Sequence, residues 1–154
     1  MSTTFQLNGT AVAVPIEPEA PLLAALRGPL GLSGTRFGCG AEQCGACLVL
    51  VDDLPRYACT LPVGDVAGRN VTTVEGLGTA EAPHPLQRAL LELQAGQCGF
   101  CLSGIQIRAA ALLRETPRPS EDQLRAALDP HLCRCGSHNR ILRAVLRAAE
   151  EMAP

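Results

Sequence analysis

The chain has 154 residues, of which 47% are hydrophobic, and its 13 basic and 15 acidic residues leave a formal net charge of −2. This composition suits a globular protein with one medium-sized domain or two small ones. A pI near 5.9 indicates no basic surface, which excludes nucleic-acid binding. The N-terminus does not resemble a signal peptide, and no apolar run approaches roughly 20 residues, so we expect a cytoplasmic protein without membrane insertion.

The chain is predicted to begin with a strand pair and a short helix. The runs TTFQL and AVAVPI flank Asn8-Gly9, a pair that favours a two-residue hairpin turn. Residues 21–32, PLLAALRGPLGL, have apolar residues at helical spacing. Gly28 and Pro29 should end this helix.

Three further strands are predicted in the first half. Residues 47–59, CLVLVDDLPRYAC, indicate strand, turn and strand, with the turn at Asp52-Asp53. Residues 70–74, NVTTV, indicate a last strand. The first half should therefore form a small α+β sheet domain.

The second half is predicted to be helical. Residues 76–85, GLGTAEAPHP, have the composition of a linker, and we place the domain boundaries at residues 1–76, 77–84 and 85–154. Amphipathic spacing or helix-start signals mark four helices, at Leu86–Gly96, Ser103–Glu115, from Ser120, and Asn139–Met152. Four short helices with brief connections predict a four-helix bundle.

The eight cysteines fall four to each half. Cys39, Cys44, Cys47 and Cys59 follow CxxxxCxxC, eleven residues and C, whereas Cys98, Cys101, Cys133 and Cys135 follow CxxC, thirty-one residues and CxC. In a reducing compartment such thiols bind metals or do redox chemistry, and domains this small commonly need a metal for stability. Structural zinc also takes four thiolates, but the first set has the spacing of a plant-type [2Fe–2S] ferredoxin.

Residues beside the cysteines fit an anionic cluster. Gly38, Gly40 and Gly45 would let backbone N–H groups approach the sulfurs closely. Arg36 and Arg134 could offset negative charge, or could be solvated surface residues.

Both cysteine motifs together resemble the small iron–sulfur subunit of the molybdenum hydroxylases, the xanthine dehydrogenase and aldehyde oxidoreductase superfamily. The resemblance extends from FQLNG through TRFGCGAEQCGAC, VTTVEGL and HPLQRALLELQAGQCGFC to LCRCGSHNRILRAV. It implies a plant-type ferredoxin domain of β-grasp fold followed by a four-helix bundle, with one [2Fe–2S] cluster in each.

The resemblance also implies roles for individual residues. Cys39, Cys44, Cys47 and Cys59 would hold the outer cluster, and Cys98, Cys101, Cys133 and Cys135 the cluster nearer molybdenum. Gln97 matches a glutamine that touches the pterin cofactor, and Cys135 matches the ligand facing the pterin amino group. Judged from the residues alone, Gln97 would cap the CxxC turn.

The chain departs from the family pattern in two places. Glu42 stands where glycine is frequent, which bears on the conformation of that loop. Gly136-Ser137-His138 replaces the T-G-Y of flavin-linked members and resembles two-subunit N-heteroaromatic hydroxylases of the isoquinoline and nicotinate type.

The three histidines have no assigned chemistry. His138 could line an interface, but a local hydrogen bond at a helix start is favoured. His84 is expected to be solvated in the linker, and His131 could hydrogen-bond near a cluster.

The function that the resemblance implies is electron transfer. A large partner subunit would carry molybdopterin, expected as the cytosine dinucleotide form, and hydroxylate an N-heteroaromatic substrate. This chain would relay electrons through two [2Fe–2S] clusters to an external acceptor, such as a cytochrome or a flavin subunit, and would not be catalytic alone. Its lack of a phosphate loop or nucleophile motif agrees.

Three alternatives remain open at this point. The chain could be the small subunit of an aldehyde or purine oxidoreductase, a zinc-stapled interaction module, or a free-standing two-cluster ferredoxin.

Overall fold

A computed structural model describes residues 2–153 of the chain. The strands are β1 (Thr3–Leu7), β2 (Thr10–Val14), β3 (Leu48–Val51), β4 (Leu54–Tyr57) and β5 (Asn70–Thr72). The α-helices are α1 (Leu22–Arg27), α2 (Pro85–Glu92), α3 (Leu102–Glu115), α4 (Glu121–Leu128) and α5 (His138–Met152). Single 3-10 turns lie at Val63–Val66 and Val74–Gly76.

The strands form one mixed sheet in the order β2-β1-β5-β3-β4. β1 pairs antiparallel with β2 and parallel with β5, while β3 pairs antiparallel with β4 and β5. Both predicted hairpins are confirmed. Their turn residues have positive φ, at 49° and 83° for Asn8 and Gly9 and at 48° and 66° for Asp52 and Asp53, as a twist-matched two-residue turn requires.

Helix α1 packs on one face of the sheet. Its apolar side chains are buried with Phe5, Val14 and Val71 in the first core. The helix ends where Gly28 donates its N–H to the Ala24 carbonyl at 2.9 Å, as predicted. The predicted strand over residues 70–74 is shorter, because Val74 begins a 3-10 turn.

Helices α2 to α5 share a second core, which includes Leu86, Ile105, Leu124 and Ile141. All four predicted helices are present, although α2 ends at Glu92 and not at Gly96. A mixed sheet followed by helices confirms the predicted α+β class.

Two capping boxes start helices in this half. The Ser120 hydroxyl accepts from the Gln123 N–H at 3.2 Å at the start of α4. The prediction that His84 is solvated is wrong: it is half-buried, and its Nδ1 accepts from the Leu86 N–H at 3.1 Å at the start of α2.

Helix α3 lies against the second face of β3. Leu48 and Leu50 of β3 are 1% and 0% exposed and form a third cluster with Ile107 and Ala111 of α3. Strand β3 is thus buried on both faces, and the helical half is anchored on the sheet. No helix within residues 2–153 is long and apolar enough to cross a membrane.

Candidate iron–sulfur sites

The first cysteine loop runs between α1 and β3 and gathers backbone donors around sulfur. The N–H groups of Ala41 and Gln43 lie 3.3 and 3.2 Å from the Cys39 Sγ. The N–H of Cys39 lies 3.4 Å from the Cys44 Sγ. The Ala41 and then the Gln43 N–H groups lower the pKa of Cys39 to about 7, so this exposed end of the loop favours a thiolate.

The other two thiols of this set are brought together by the β3–β4 hairpin. Cys47 precedes β3 and Cys59 follows β4, and Ala58 donates its N–H to the Cys47 carbonyl at 3.2 Å. Burial raises the pKa of Cys47 to about 12. A thiolate here therefore needs the positive charge of a metal ion.

The thiols of the first set stand in two neighbouring pairs. Cys39 lies within hydrogen-bonding reach of Cys44, and Cys47 within reach of Cys59. A [2Fe–2S] cluster bound by four cysteines takes two thiolates on each iron. The pairing fits that requirement.

The glycines of the loop provide space and conformation, while the N–H donors come from their neighbours. A Cβ at Gly38 would lie 2.7 Å from the Cys44 Sγ, and Gly40 has a φ of +67°. The backbone donors to the Cys39 sulfur are Ala41 and Gln43, and not the glycines on either side of it.

Glu42 has the conformation usually taken by glycine. Its φ is 59°, and its carboxylate accepts from the Thr60 hydroxyl. This side-chain contact, next to Cys59 in the sequence, helps to hold the loop in that uncommon conformation.

The second cysteine set lines one small cavity between helices. Cys98 and Cys101 precede α3, and Cys133 and Cys135 lie between α4 and α5. All four border the same cavity. Cys98 lies within reach of Cys135, and Cys101 within reach of Cys133, so this set also stands in two pairs.

Backbone N–H groups again point at these sulfurs. Phe100 donates to the Cys98 Sγ at 3.5 Å, which lowers the pKa of Cys98. Ser137 donates to the Cys133 Sγ at 3.4 Å. Burial raises the pKa of Cys101 to about 12, so each set combines a thiolate-favouring thiol with a buried one.

The two cysteine loops touch each other directly. The Leu132 N–H donates to the Cys44 carbonyl at 3.1 Å. Because Leu132 precedes Cys133, this hydrogen bond links Cys44 of the first set to the residue next to a cysteine of the second set. The Ser103 hydroxyl adds a contact to the Ala46 carbonyl at 3.4 Å.

His131 fills the space between these loops. It is 1% exposed, and its ring lies so close to Gly45 that an added Cβ there would overlap Nδ1. Burial, and then the charges of Arg108 and His138, lower the pKa of His131 to about 4, so the imidazole is neutral. His138 makes the expected local bond, with its Nε2 2.9 Å from the His131 carbonyl.

The arginines beside the motifs behave differently. The Arg36 guanidinium lies 5.5 Å from the centroid of the Phe100 ring, a cation–π contact between the two halves. Arg134 is exposed.

Gln97 meets Cys135, the other residue predicted to face the pterin. Its Nε2 donates to the Cys135 carbonyl at 3.2 Å. The side chain is exposed and borders a groove of about 860 Å³ with Leu91 and Gln94.

Ser137 had no role assigned from the sequence. Its hydroxyl is buried without a hydrogen-bond partner, and the residue lines the second cavity. The one signal in the sequence was the replacement of glycine by serine beside the CxC motif.

Two family models match the chain. A 2Fe-2S iron-sulfur cluster binding domain covers residues 5–63, and a [2Fe-2S] binding domain covers residues 73–146. Together they span both cysteine sets.

Similar proteins match this chain over nearly its whole length. A nicotinate dehydrogenase subunit of Pseudomonas putida is 50% identical over 152 residues, which are 97% of this chain and 97% of that one. The alpha subunit of isoquinoline 1-oxidoreductase of Brevundimonas diminuta is 50% identical over 150 residues, 97% of this chain and 98% of that one. The xanthine dehydrogenase of Emericella nidulans is 42% identical over 151 residues, but this chain covers only 11% of its length.

The crystal structure of quinoline 2-oxidoreductase from Pseudomonas putida 86 matches with a TM-score of 0.94 and 35% identity, covering 99% of this chain and 95% of that one. Relatives of this kind are iron–sulfur subunits, or N-terminal segments, of molybdenum hydroxylases. The chain belongs to the family of small iron–sulfur subunits of the molybdenum hydroxylases.

Proposed function

We propose that this chain relays electrons from a molybdopterin-bearing large subunit to an external acceptor through two [2Fe–2S] clusters. The observation that carries the proposal is the pair of four-thiol sites joined by the hydrogen bond from Leu132 to the Cys44 carbonyl. Two redox sites in such contact suit internal electron transfer.

The proposed ligands are the eight cysteines. Cys39, Cys44, Cys47 and Cys59 would hold one cluster, and Cys98, Cys101, Cys133 and Cys135 the other. A bound [2Fe–2S] cluster supplies one-electron redox chemistry, and molybdopterin in the partner supplies substrate hydroxylation. This chain fixes the positions of the sulfurs and sets their surroundings.

The backbone donors of this chain stabilise negative charge on sulfur. Ala41, Gln43, Phe100 and Ser137 each point an N–H at a cysteine sulfur. Hydrogen bonds to the sulfurs are among the factors that determine the potentials of such sites. The two sites differ in burial, because two thiols of the first set, Cys47 and Cys59, are buried, whereas in the second set only Cys101 is, so we expect two distinguishable potentials.

We assign the face around Gln97 and Cys135 to the pterin-bearing large subunit, with the pterin in the cytosine dinucleotide form. Gln97 borders the groove of about 860 Å³, where Leu91 is 80% exposed. An exposed leucine beside a groove is typical of a surface that a partner covers.

We assign the surface around the first cysteine loop to the electron acceptor, a cytochrome or a flavin subunit. Cys39 is exposed, and Phe37, two residues before it, is 62% exposed. The first site is thus accessible from outside the chain.

The remaining assignments follow the relatives. We propose an N-heteroaromatic substrate for the complex, because the 50% identical relatives are named for nicotinate and isoquinoline. We also propose the β-grasp and four-helix-bundle arrangement, the division at residues 1–76, 77–84 and 85–154, and a cytoplasmic location.

The test is to purify the chain together with its co-expressed large partner and to analyse iron, sulfide, molybdenum and zinc. About four irons per chain and two signals in the reduced-state EPR spectrum are expected from two such clusters. Zinc in either site, or a single EPR signal, would contradict the proposal. Turnover of an aldehyde or purine in place of an N-heteroaromatic compound would refute the substrate assignment alone.

A further inference from the structure

Ser137 stands at the N-cap of α5 but does not cap the helix. A serine at this position normally accepts a hydrogen bond from a backbone N–H in the first turn. The Ser137 side chain makes no such bond. Its hydroxyl is buried without any partner, in a residue that is 5% exposed. A buried hydroxyl is rarely left unpaired in a native protein.

The surroundings of Ser137 indicate the missing partner. The residue lines the cavity bordered by Cys98, Cys101, Cys133 and Cys135. Its own N–H donates to the Cys133 Sγ at 3.4 Å. The residue therefore already donates one hydrogen bond to this cysteine set through its backbone.

We propose that the Ser137 hydroxyl donates a second hydrogen bond, to a sulfur of the cluster held in this cavity, and thereby raises the reduction potential of that cluster. This inference rests on the proposed function, which places a cluster there. A serine hydroxyl has one proton to donate, and cluster sulfurs are acceptors. Reduction makes the sulfurs more negative, so the bond is stronger in the reduced state.

The consequence concerns the direction of electron flow. A higher potential in the second site, near the face assigned to the large subunit, makes that site a better first acceptor of electrons. Ser137 acts as a positioning and tuning residue and touches no substrate.

The experiment is a redox titration of the assembled complex, with each cluster followed by its own EPR signal. Ser137→Ala should lower the one-electron equilibrium constant for reduction of the second cluster by up to about tenfold. This change corresponds to a fall of about 59 mV in its reduction potential. The potential of the first cluster should not change and serves as an internal reference. Ser137→Thr keeps the hydroxyl, so the potential of its second cluster should stay close to the wild-type value.

Ser120 supplies the matched control. It is the N-cap of α4, and its hydroxyl does cap the helix. Ser120→Ala should lower the thermal stability and leave both potentials unchanged. Ser137→Ala should leave the thermal stability close to that of the wild type and lower the potential of the second cluster only. Unchanged potentials in Ser137→Ala, or equal shifts in Ser137→Ala and Ser137→Thr, would overturn the proposal.

Ser137→Gly provides a second hydroxyl-free variant if Ser137→Ala does not assemble. If neither assembles, a crystal structure of the cluster-loaded wild-type complex decides the matter. A Ser137 Oγ within hydrogen-bonding distance of a cluster sulfur supports the bond, and an Oγ paired with any other acceptor refutes it. Zinc or no metal in the second site would instead refute the proposed function.

Discussion

Replacing Gly45 with alanine should destabilise the protein more than the backbone conformation alone explains. Gly45 has a φ of +76°, and a Cβ there would overlap Nδ1 of His131 and lie 2.8 Å from its Cε1. The left-handed conformation costs a non-glycine residue about 1–2 kcal/mol. Overpacking adds about 1–3 kcal/mol, because His131 is 1% exposed and cannot move into solvent. We expect a total loss of about 2–5 kcal/mol.

Gly68→Ala separates the two contributions. Gly68 has a φ of +70° and nothing within 4 Å of an added Cβ, so it should lose only the conformational part. The assay is thermal unfolding of the cluster-loaded protein, followed by far-UV circular dichroism and by visible absorption. The extra cost of about 1–3 kcal/mol corresponds to roughly 2–12 °C between the two variants. Equal shifts in Gly45→Ala and Gly68→Ala would refute the packing argument.

Three further predictions concern the ligands, the partner face and pH. Cys59→Ala should abolish or labilise the first cluster and leave the second in place, since the substitution removes one thiolate of the first set only. Metal analysis and EPR would measure both clusters. Loss of both clusters together would show that the proposed division into two cluster-binding domains is wrong. Gln97→Ala should keep all iron but should slow cluster reduction after substrate is added in rapid-mixing experiments, because the variant loses a hydrogen bond of about 1 kcal/mol. Gln94→Ala, on the same groove, is the control. Equal rates of cluster reduction in both variants would argue against the assigned face. Burial, and then the charge of Arg114, lower the pKa of His84, so the stabilising contribution of His84 is present above an unfolded-state pKa of roughly 6.5 and is lost as the pH falls below that value. His84→Asn should keep a helix cap worth about 1 kcal/mol and should show a smaller drop in melting temperature between pH 7.5 and 5.5 than the wild type. An unchanged pH dependence of the melting temperature would count against this role.

Local signals in the sequence predicted the elements whose causes are local. Asn8-Gly9 and Asp52-Asp53 both form turns with positive φ, since short polar residues and glycine adopt that conformation most readily. The ends of elements were predicted less well. Helix α2 stops at Glu92, although the apolar pattern continues to Leu93, because Gln94 turns the chain with a φ of 47°.

The candidate sites were predicted as far as spacing determines them. The CxxxxCxxC and CxC motifs predicted two groups of four thiols, and the fold brings the members of each group together in pairs. His131 and Ser137 could not be assigned, because their surroundings depend on contacts between distant segments. Likewise, the sequence around His84 has the composition of a linker. The capping box that Leu86 and Gln87 complete around His84 forms only when the chain folds into α2.

The packing of α3 on β3 has a consequence for anyone who dissects this chain. A fragment ending at residue 76 would keep every strand but would uncover Leu48 and Leu50, which Ile107 and Ala111 shield in the intact chain. Such an apolar patch on a short, open sheet promotes self-association. The sheet and α3 should therefore be expressed, grafted or exchanged between enzymes as one piece, with any splice site placed outside them.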